Sequence, residues 1–379
     1  MHRTKLIYFV TEDWYFCSHR LTLAVAAQAA GYDVTVVTRV REHGDMIRAA
    51  GLKLIPFEIA RTSVNPLREF GTLWRLVRMY RREQPQIVHH VAMKPVLYGT
   101  IAARFAGARV INALAGMGWL FTSGGGKART LKPVVRWTLG RLLRRGIALV
   151  QNPDDARLLE KLGVAPEQIR LIPGAGVDLQ AFSPRPEPEG VPVVVLPARL
   201  LWDKGVGEFV AAARLLQGKG IAVRFVLAGQ PDEANPSAVP REQIAAWVTE
   251  GIITHLGWAK DMPAVLAGCH IVCLPSYYGE GIPKSLIEAA ACGRPIVTTD
   301  MPGCREIVHH GDNGLLVPPR DAAALAGALE QLLGDAAMRE RMGARGRQRA
   351  EQEFGLERVI QQTLALYVAS EDSKDAKLG

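Results

Sequence analysis

Short apolar runs of strand character alternate with helical segments along almost all of this 379-residue chain. That alternation restricts the fold to parallel sheets covered by helices. KLIYFV (5–10), HRLTLAVAAQAAG (19–31, closed by Gly31) and DVTVVT (33–38) read as strand, helix and strand, the opening unit of a doubly wound α/β domain. PQIVHH (85–90), ARVINAL and IALVQNPDDARLLEKLG continue the pattern. It breaks in IRLIPGAGVDLQAFSPRPEPEGVP, whose Pro and Gly density predicts an irregular connection. A second series then follows in VPVVVLPARLLWDKG, VRFVLAG, ITHLGW, IVCLPS and RPIVTT. The expected organisation is a first Rossmann-like domain over 1–172, a linker over 173–192 and a second domain over 193–352. A C-terminal helix over 353–370 packs back toward the first domain, and 371–379 is a disordered tail. The first turn, TEDWYFCSHR, lacks a glycine fingerprint, so no dinucleotide is expected there. Its Trp14, Tyr15 and Phe16 read equally well as a contact surface or as loop packing.

The 48% apolar composition is enough for two cores. Cys17, Cys269, Cys273, Cys292 and Cys304 lack both a paired framework and metal-ligand spacing, which predicts free thiols in a reducing compartment. Neither a signal peptide nor a membrane span is expected, because charges interrupt every apolar run first. Charge is strongly divided. Residues 1–150 carry 23 Lys/Arg against 8 Asp/Glu, a net +15, and the remainder carries 23 against 29, a net −6. A polyanionic partner for the first half follows. Two arginine-rich helices sharpen that expectation. Residues 61–84 place Leu67, Phe70, Leu73, Trp74, Val77 and Tyr80 at helical spacing among Arg68, Arg75, Arg78, Arg81 and Arg82. Residues 127–145 combine Trp137 and its apolar neighbours with Arg136, Arg141, Arg144 and Arg145. Each helix alone reads as a domain helix with a solvated face; the pair together favours an anionic membrane surface. No nucleic-acid motif is present and the aromatics sit at core-like spacing, so nucleic acid is not an expected partner.

SYYGEGIPKSLIEAAACGRPIVTT (276–299) packs a polar loop, a short helix and a strand into one compact unit. On one continuous helix Glu280 and Glu288 would be offset by roughly 80°. Gly281 and Pro283 instead predict a helix starting near Pro283, with Glu280 in the preceding loop and Glu288 one to two turns in. Backbone N–H groups at that start, at Ile282, Lys284 and Ser285, favour an anion. A phosphate flanked by two carboxylates points to a sugar nucleotide, with acceptors for its hydroxyls.

With these pieces placed, the chain resembles the family 4 retaining glycosyltransferases of two-Rossmann (GT-B) architecture with an interdomain cleft. The resemblance is carried by PARLLWDKG, by PSYYGEGIPKSLIEAAACGRPIVTTDMPGCREIV and by NGLLVPP. HHVAMKPVLYG and NALAGMGWLF are similar to bacterial capsule, O-antigen and glycan-assembly enzymes acting on undecaprenyl-diphosphate-linked sugars. The resemblance assigns Arg199 and Lys204 to the donor diphosphate, Glu280 to donor-sugar hydroxyls near the reacting carbon, and Glu288 to the ribose. Gly281, Ile282, Pro283, Lys284 and Ser285 line the loop between. Gly257 and Trp258 border the base, Trp258 being open to a core role as well. Arg199, Lys204 and Glu280 are the expected catalytic residues. Trp14, His19, His90, Lys94 and Gly116 are the expected acceptor contacts. Where relatives with other acceptors carry a histidine near the reacting carbon, this chain reads NALAGMG, so no catalytic histidine is carried over. The implied reaction retains configuration, needs no cofactor and no metal, and uses a UDP-sugar, a hexose or N-acetylhexosamine. The implied location is cytoplasmic, peripheral on the inner face of the bacterial plasma membrane. Rival readings are an epimerase or phosphorylase of the same architecture and an inactive membrane adaptor.

Overall fold

Seven short strands precede Ala175 and six follow it, each group forming its own parallel sheet. The structure, a computed structural model, describes residues 3–59, 65–114, 116–117 and 137–368. The first unit runs up to Ala175 and takes up the chain again from Val359; the second is Gly176–Arg358. Strands of the first unit are β1 (Lys5–Glu12), β2 (Asp33–Arg39), β3 (Lys53–Pro56), β4 (Ile87–Val91), β5 (Arg109–Leu114), β6 (Ile147–Val150) and β7 (Ile169–Leu171). They pair in the order β3-β2-β1-β4-β5-β6-β7. In the second unit β8 (Val193–Pro197), β9 (Arg224–Ala228), β10 (Thr254–Gly257), β11 (Ile271–Leu274), β12 (Ile296–Thr299) and β13 (Gly314–Val317) pair as β10-β9-β8-β11-β12-β13. The strand order therefore reverses at β1/β4 and at β8/β11, the two places where α/β sheets leave a crevice beyond their carboxyl ends. The central strands are sealed on both faces by helices, which is why they read as continuous apolar runs.

Three expectations change in detail. The segment after β1 is not a turn but helix α1 (Asp13–His19), followed by α2 (Leu21–Ala29). Asp13 is wholly buried and accepts from the backbone N–H groups of Trp14, Arg41 and His43, so its charge pins the loop after β2 onto α1. Phe16 belongs to the core. The connection 176–192 is not a loose linker. Val177 lies in the second unit's core with Leu179 and Phe182 packed against it. Arg347 donates to the carbonyls of Leu179 and Phe182, Arg294 to those of Arg185 and Pro186, and Arg339 holds Glu187 through two nitrogens. Proline-rich backbone with few N–H donors exposes carbonyls; two arginines collect them and the third holds the Glu187 carboxylate.

The third change concerns α4 (Pro66–Glu83), which follows the short helix α3 (Gly44–Ala49) and starts with Asn65 accepting from the N–H groups of Leu67 and Arg68. Its core face is Thr72, Leu76, Val77, Met79 and Tyr80. Leu67, Phe70 and Trp74 point outward at 84%, 69% and 52% exposure, although their spacing reads like a core stripe. At ~100° per residue they share an arc of about 80° with Arg78, whose guanidinium lies 5.9 Å from the Trp74 ring centroid. Beside them Arg81 lies over the exposed Phe105 ring. Of the second arginine-rich helix only 137–143 is described as helical; there Trp137 is exposed with Arg141 over its ring. Arg144 bonds the Gly163 carbonyl, Arg145 is exposed, and Arg136 lies outside the described residues.

Candidate active site

Two loops meet at the β8/β11 crossover of the second sheet. The first leaves β8 through Arg199 and closes with a 3-10 turn, Trp202–Lys204, before the helix Val206–Gly218. Gly205 joins turn to helix at φ +76, and a Cβ there would stand 2.1 Å from the Pro275 carbonyl oxygen. Only a residue without a side chain allows this approach. The second loop leaves β11 through Ser276. The Ser276 hydroxyl and the Tyr277 N–H both donate to the Asp203 carbonyl, at 3.1 Å each, locking one loop on the other. It ends at Pro283, the N-cap of the helix Lys284–Ala291, which begins without a side-chain cap. Glu280 is thus in the loop and Glu288 in the second turn.

Lys204 forms an ion pair with Glu280, both side chains being about 85% sequestered, at 15% and 14% exposure. Residues 76 positions apart in sequence are brought together because β8 and β11 are neighbours. Arg199 Nη1 donates to Asp232 Oδ2 at 2.8 Å. Glu288 is buried with Lys284 3.1 Å away on the next turn. Burial raises the Glu288 carboxyl above its usual range, Lys284 opposing the shift. The folded state consequently holds its proton more tightly than the unfolded chain. The stability this confers is present below the ordinary carboxyl value of about 4.3 and is lost as pH rises through the higher folded value. Glu288→Gln is therefore expected to raise the thermal midpoint at pH 8 and to lose that advantage at pH 4. An advantage equal at both pH values would remove burial as its cause. Gly257 ends β10 at φ +67, and Trp258 is 59% exposed, which removes the core alternative for its ring. Gly281, Ile282 and Pro283 are buried, Ser285 partly so.

Two supporting residues escaped the sequence reading. Gly303 holds φ +88 after β12, where a Cβ would stand 2.2 Å from the Gly281 carbonyl oxygen, so it seats the Glu280–Gly281 segment. Arg320, itself at φ +61, lies 4.4 Å from the Tyr277 ring centroid and braces the same loop. Gly303 lies within the PSYY…CREIV stretch and Arg320 directly follows NGLLVPP, but both act through contacts made only in the fold.

In the first unit the expected acceptor residues separate. His90 is wholly buried: Nδ1 bonds Asn112 Oδ1 at 2.8 Å, Nε2 bonds the Tyr80 hydroxyl at 3.2 Å, and a Cβ on Gly99 would overlap the ring. Burial pushes its pKa down to about 4. His90 is a satisfied core histidine, and its assignment to the acceptor is corrected. Lys94 pairs with Glu69 at 3.2 Å, an acidic residue that also accepts from Tyr98. His19 stacks on Tyr15 with centroids 4.2 Å apart, Trp14 is half-buried beside them, and Gly116 adopts φ +91.

This arrangement can hold an anion against two cations while a carboxylate faces the attached group. Residues 5–144 match the family model described as glycosyl transferase 4-like, and residues 191–335 match glycosyl transferases group 1. Over 367 residues the chain is 29% identical to the N,N'-diacetylbacillosaminyl-diphospho-undecaprenol alpha-1,3-N-acetylgalactosaminyltransferase of Campylobacter jejuni, covering 92% of this chain and 94% of that one. It is 26% identical to the UDP-Gal:alpha-D-GlcNAc-diphosphoundecaprenol alpha-1,3-galactosyltransferase of Escherichia coli, covering 72% and 73%. Among solved structures it is similar to sucrose-phosphate synthase from Thermosynechococcus elongatus, with a TM-score of 0.80 at 23% identity over 97% of this chain and 100% of that one. HepE of Anabaena in complex with UDP-glucose gives 0.78 at 18% identity, over 97% and 100%. At those identities the structures speak for the fold, and the fold is GT-B. The two family models between them take in β1–β5 of the first sheet and all of the second, and the chain belongs to the group 1, family 4-like glycosyltransferases.

Proposed function

We propose that this glycosyltransferase moves a hexose or N-acetylhexosamine from a UDP-sugar to an undecaprenyl-diphosphate-linked saccharide in bacterial surface-glycan assembly, with retention and without a metal. The observation that carries the reading is the Lys204–Glu280 pair at the β8/β11 crossover with Arg199 on the same loop. The full-length likeness to a transferase named for a diphospho-undecaprenol acceptor supports the acceptor class. Lys204 has three ammonium donors, so it can hold Glu280 and a phosphate oxygen together. With Arg199 it offsets the charge that grows on the departing diphosphate, the part a divalent metal plays elsewhere. Glu280 then takes donor-sugar hydroxyls, and a departing phosphate oxygen accepts the acceptor's proton. Glu288 takes the ribose, and Trp258 offers its exposed face to the base. The epimerase, phosphorylase and adaptor readings are less well supported, since the curated relatives above are named transferases.

The test is incubation with UDP- and GDP-sugars and an undecaprenyl-diphosphate-sugar acceptor, with products identified by mass and anomeric configuration by NMR. A product of retained configuration, formed from a UDP-sugar at the same rate in EDTA, is expected. An inverted product or loss of rate in EDTA would contradict the mechanism, and no stabilisation by UDP or GDP would sink the donor site.

Among the described residues no helix is long and apolar enough to cross a membrane. We place the enzyme on the cytoplasmic leaflet through α4. Leu67, Phe70 and Trp74 supply insertion, while Arg75, Arg78, Arg81 and Arg82 on the same helix meet anionic headgroups. The triple change of Leu67, Phe70 and Trp74 to Ser is expected to weaken flotation with phosphatidylglycerol vesicles at least tenfold without lowering the thermal midpoint, because these side chains contribute little to the core. Unchanged flotation would refute this placement.

A further inference from the structure

Arg20, between α1 and α2, is 3% exposed, yet its side chain forms no ion pair or hydrogen bond with any described residue. Its Nε is sealed from solvent without a partner among the described residues, none of which bonds Nη1 or Nη2 either. Three groups that feel its charge are Tyr8 on β1, His89 on β4 and Tyr367 on the helix Leu356–Val368. All three are neutral near pH 7, since burial raises both phenols and, with the Arg20 charge, lowers the imidazole. Tyr8 and Tyr367 share a hydrogen bond at 2.7 Å, and Tyr367 meets His89 Nδ1 at 2.7 Å. His89 Nε2 is a second sealed nitrogen without a partner. A buried guanidinium without a counter-charge is costly unless something else supplies the anion.

The place is the β1/β4 crossover of the first sheet, where strand order reverses. Arg20 is also the N-cap of α2, which lacks a side-chain cap, so the backbone donors of its first turn add positive potential. Ala92, directly after β4, is held at φ +79 and ψ 163, a conformation alien to residues with a Cβ.

The geometry points to Arg20 as the seat of the acceptor's diphosphate, with Nη1 and Nη2 donating to its oxygens as a planar fork. This rests on the proposed lipid-diphosphate acceptor and assigns it a binding residue. His89 feels the guanidinium's charge and presents a sealed, unpartnered Nε2, so its ring reports on an anion held by Arg20.

The test titrates inorganic pyrophosphate into the full chain presaturated with UDP, so that the second unit's phosphate site is occupied. The wild type is expected to bind, Arg20→Met to bind at least tenfold more weakly, and Arg20→Lys to fall between. No binding by the wild type, or equal binding by Arg20→Met, would overturn the site. Stabilisation by UDP checks that each variant is folded. Should Arg20→Met not fold, the wild type decides alone: the 15N signals of the His89 ring shift on adding pyrophosphate, and unmoved signals overturn the proposal. The source of the anion is settled by turnover. Arg20→Met should raise KM at least tenfold for a diphosphate-linked sugar acceptor and leave KM unchanged for the same sugar as an alkyl glycoside. An equal loss on both acceptors, or on neither, removes the lipid diphosphate as its ligand. Arg20-dependent pyrophosphate binding without transfer to any lipid-linked acceptor would overturn the acceptor reading while leaving the anion site standing.

Discussion

Lys204→Met is expected to lower kcat by about 10²- to 10³-fold, the usual loss when one preorganised donor to developing charge is removed. Two effects must be separated. In the proposed mechanism the ammonium stabilises charge on the departing diphosphate, which is greater in the transition state than in the bound donor, so kcat falls more than donor affinity. The same change leaves the Glu280 carboxylate, 14% exposed, without its cation. Breaking a sequestered pair from one side costs about 3 kcal/mol of stability. Pairing Lys204→Met with Glu280→Gln removes the stranded charge and should recover most of the stability but none of the rate. Kinetics run well below the unfolding midpoint then read the chemical loss alone. A single variant that keeps kcat within threefold would make the pair a structural clasp and nothing more.

Gly205→Ala should have the largest effect on stability. An added methyl at φ +76 is strained by about 1 kcal/mol before any contact is considered. Its position 2.1 Å from the Pro275 carbonyl oxygen, and 2.7 Å from Pro275 Cγ, forces backbone apart between the two site loops. Backbone cannot swing away as a flexible side chain can, so the total cost is about 3–5 kcal/mol. For a unit of this size that lowers the midpoint by roughly 10 °C, and UDP stabilises the variant less because Lys204 immediately precedes the displaced residue. An unchanged midpoint would show that the two loops separate without penalty.

Much of this was legible from the chain. Parallel strands buried on both faces announce themselves as β-branched runs such as VVVL and IVCL, and Pro283 marked the start of its helix without ambiguity. Periodicity was less informative about direction. In α4 it revealed an apolar stripe, but Leu67, Phe70 and Trp74 face outward while the core is met by Thr72, Leu76, Val77, Met79 and Tyr80. A 3.6-residue repeat finds a face and does not say what covers it. His90 was misjudged because its partners, Asn112 and Tyr80, arrive from β5 and α4. Arg20 was missed for the converse reason. An arginine at a helix start reads as solvated until burial shows otherwise, and the seven-residue α1 that helps bury it has neither a side-chain cap nor the length to stand out.

The helix Leu356–Val368 carries an implication for biosynthesis. Tyr367 completes the Tyr8–His89 network, and the Arg109 guanidinium bonds the carbonyls of Leu366 and Tyr367. These groups belong to strands made at the beginning of synthesis, and the residues that satisfy them emerge near its end. The second unit can close on the ribosome while the first still waits for its last helix. The half of the enzyme translated first is therefore the half finished last, and a nascent chain interrupted before Val359 holds an incomplete first unit.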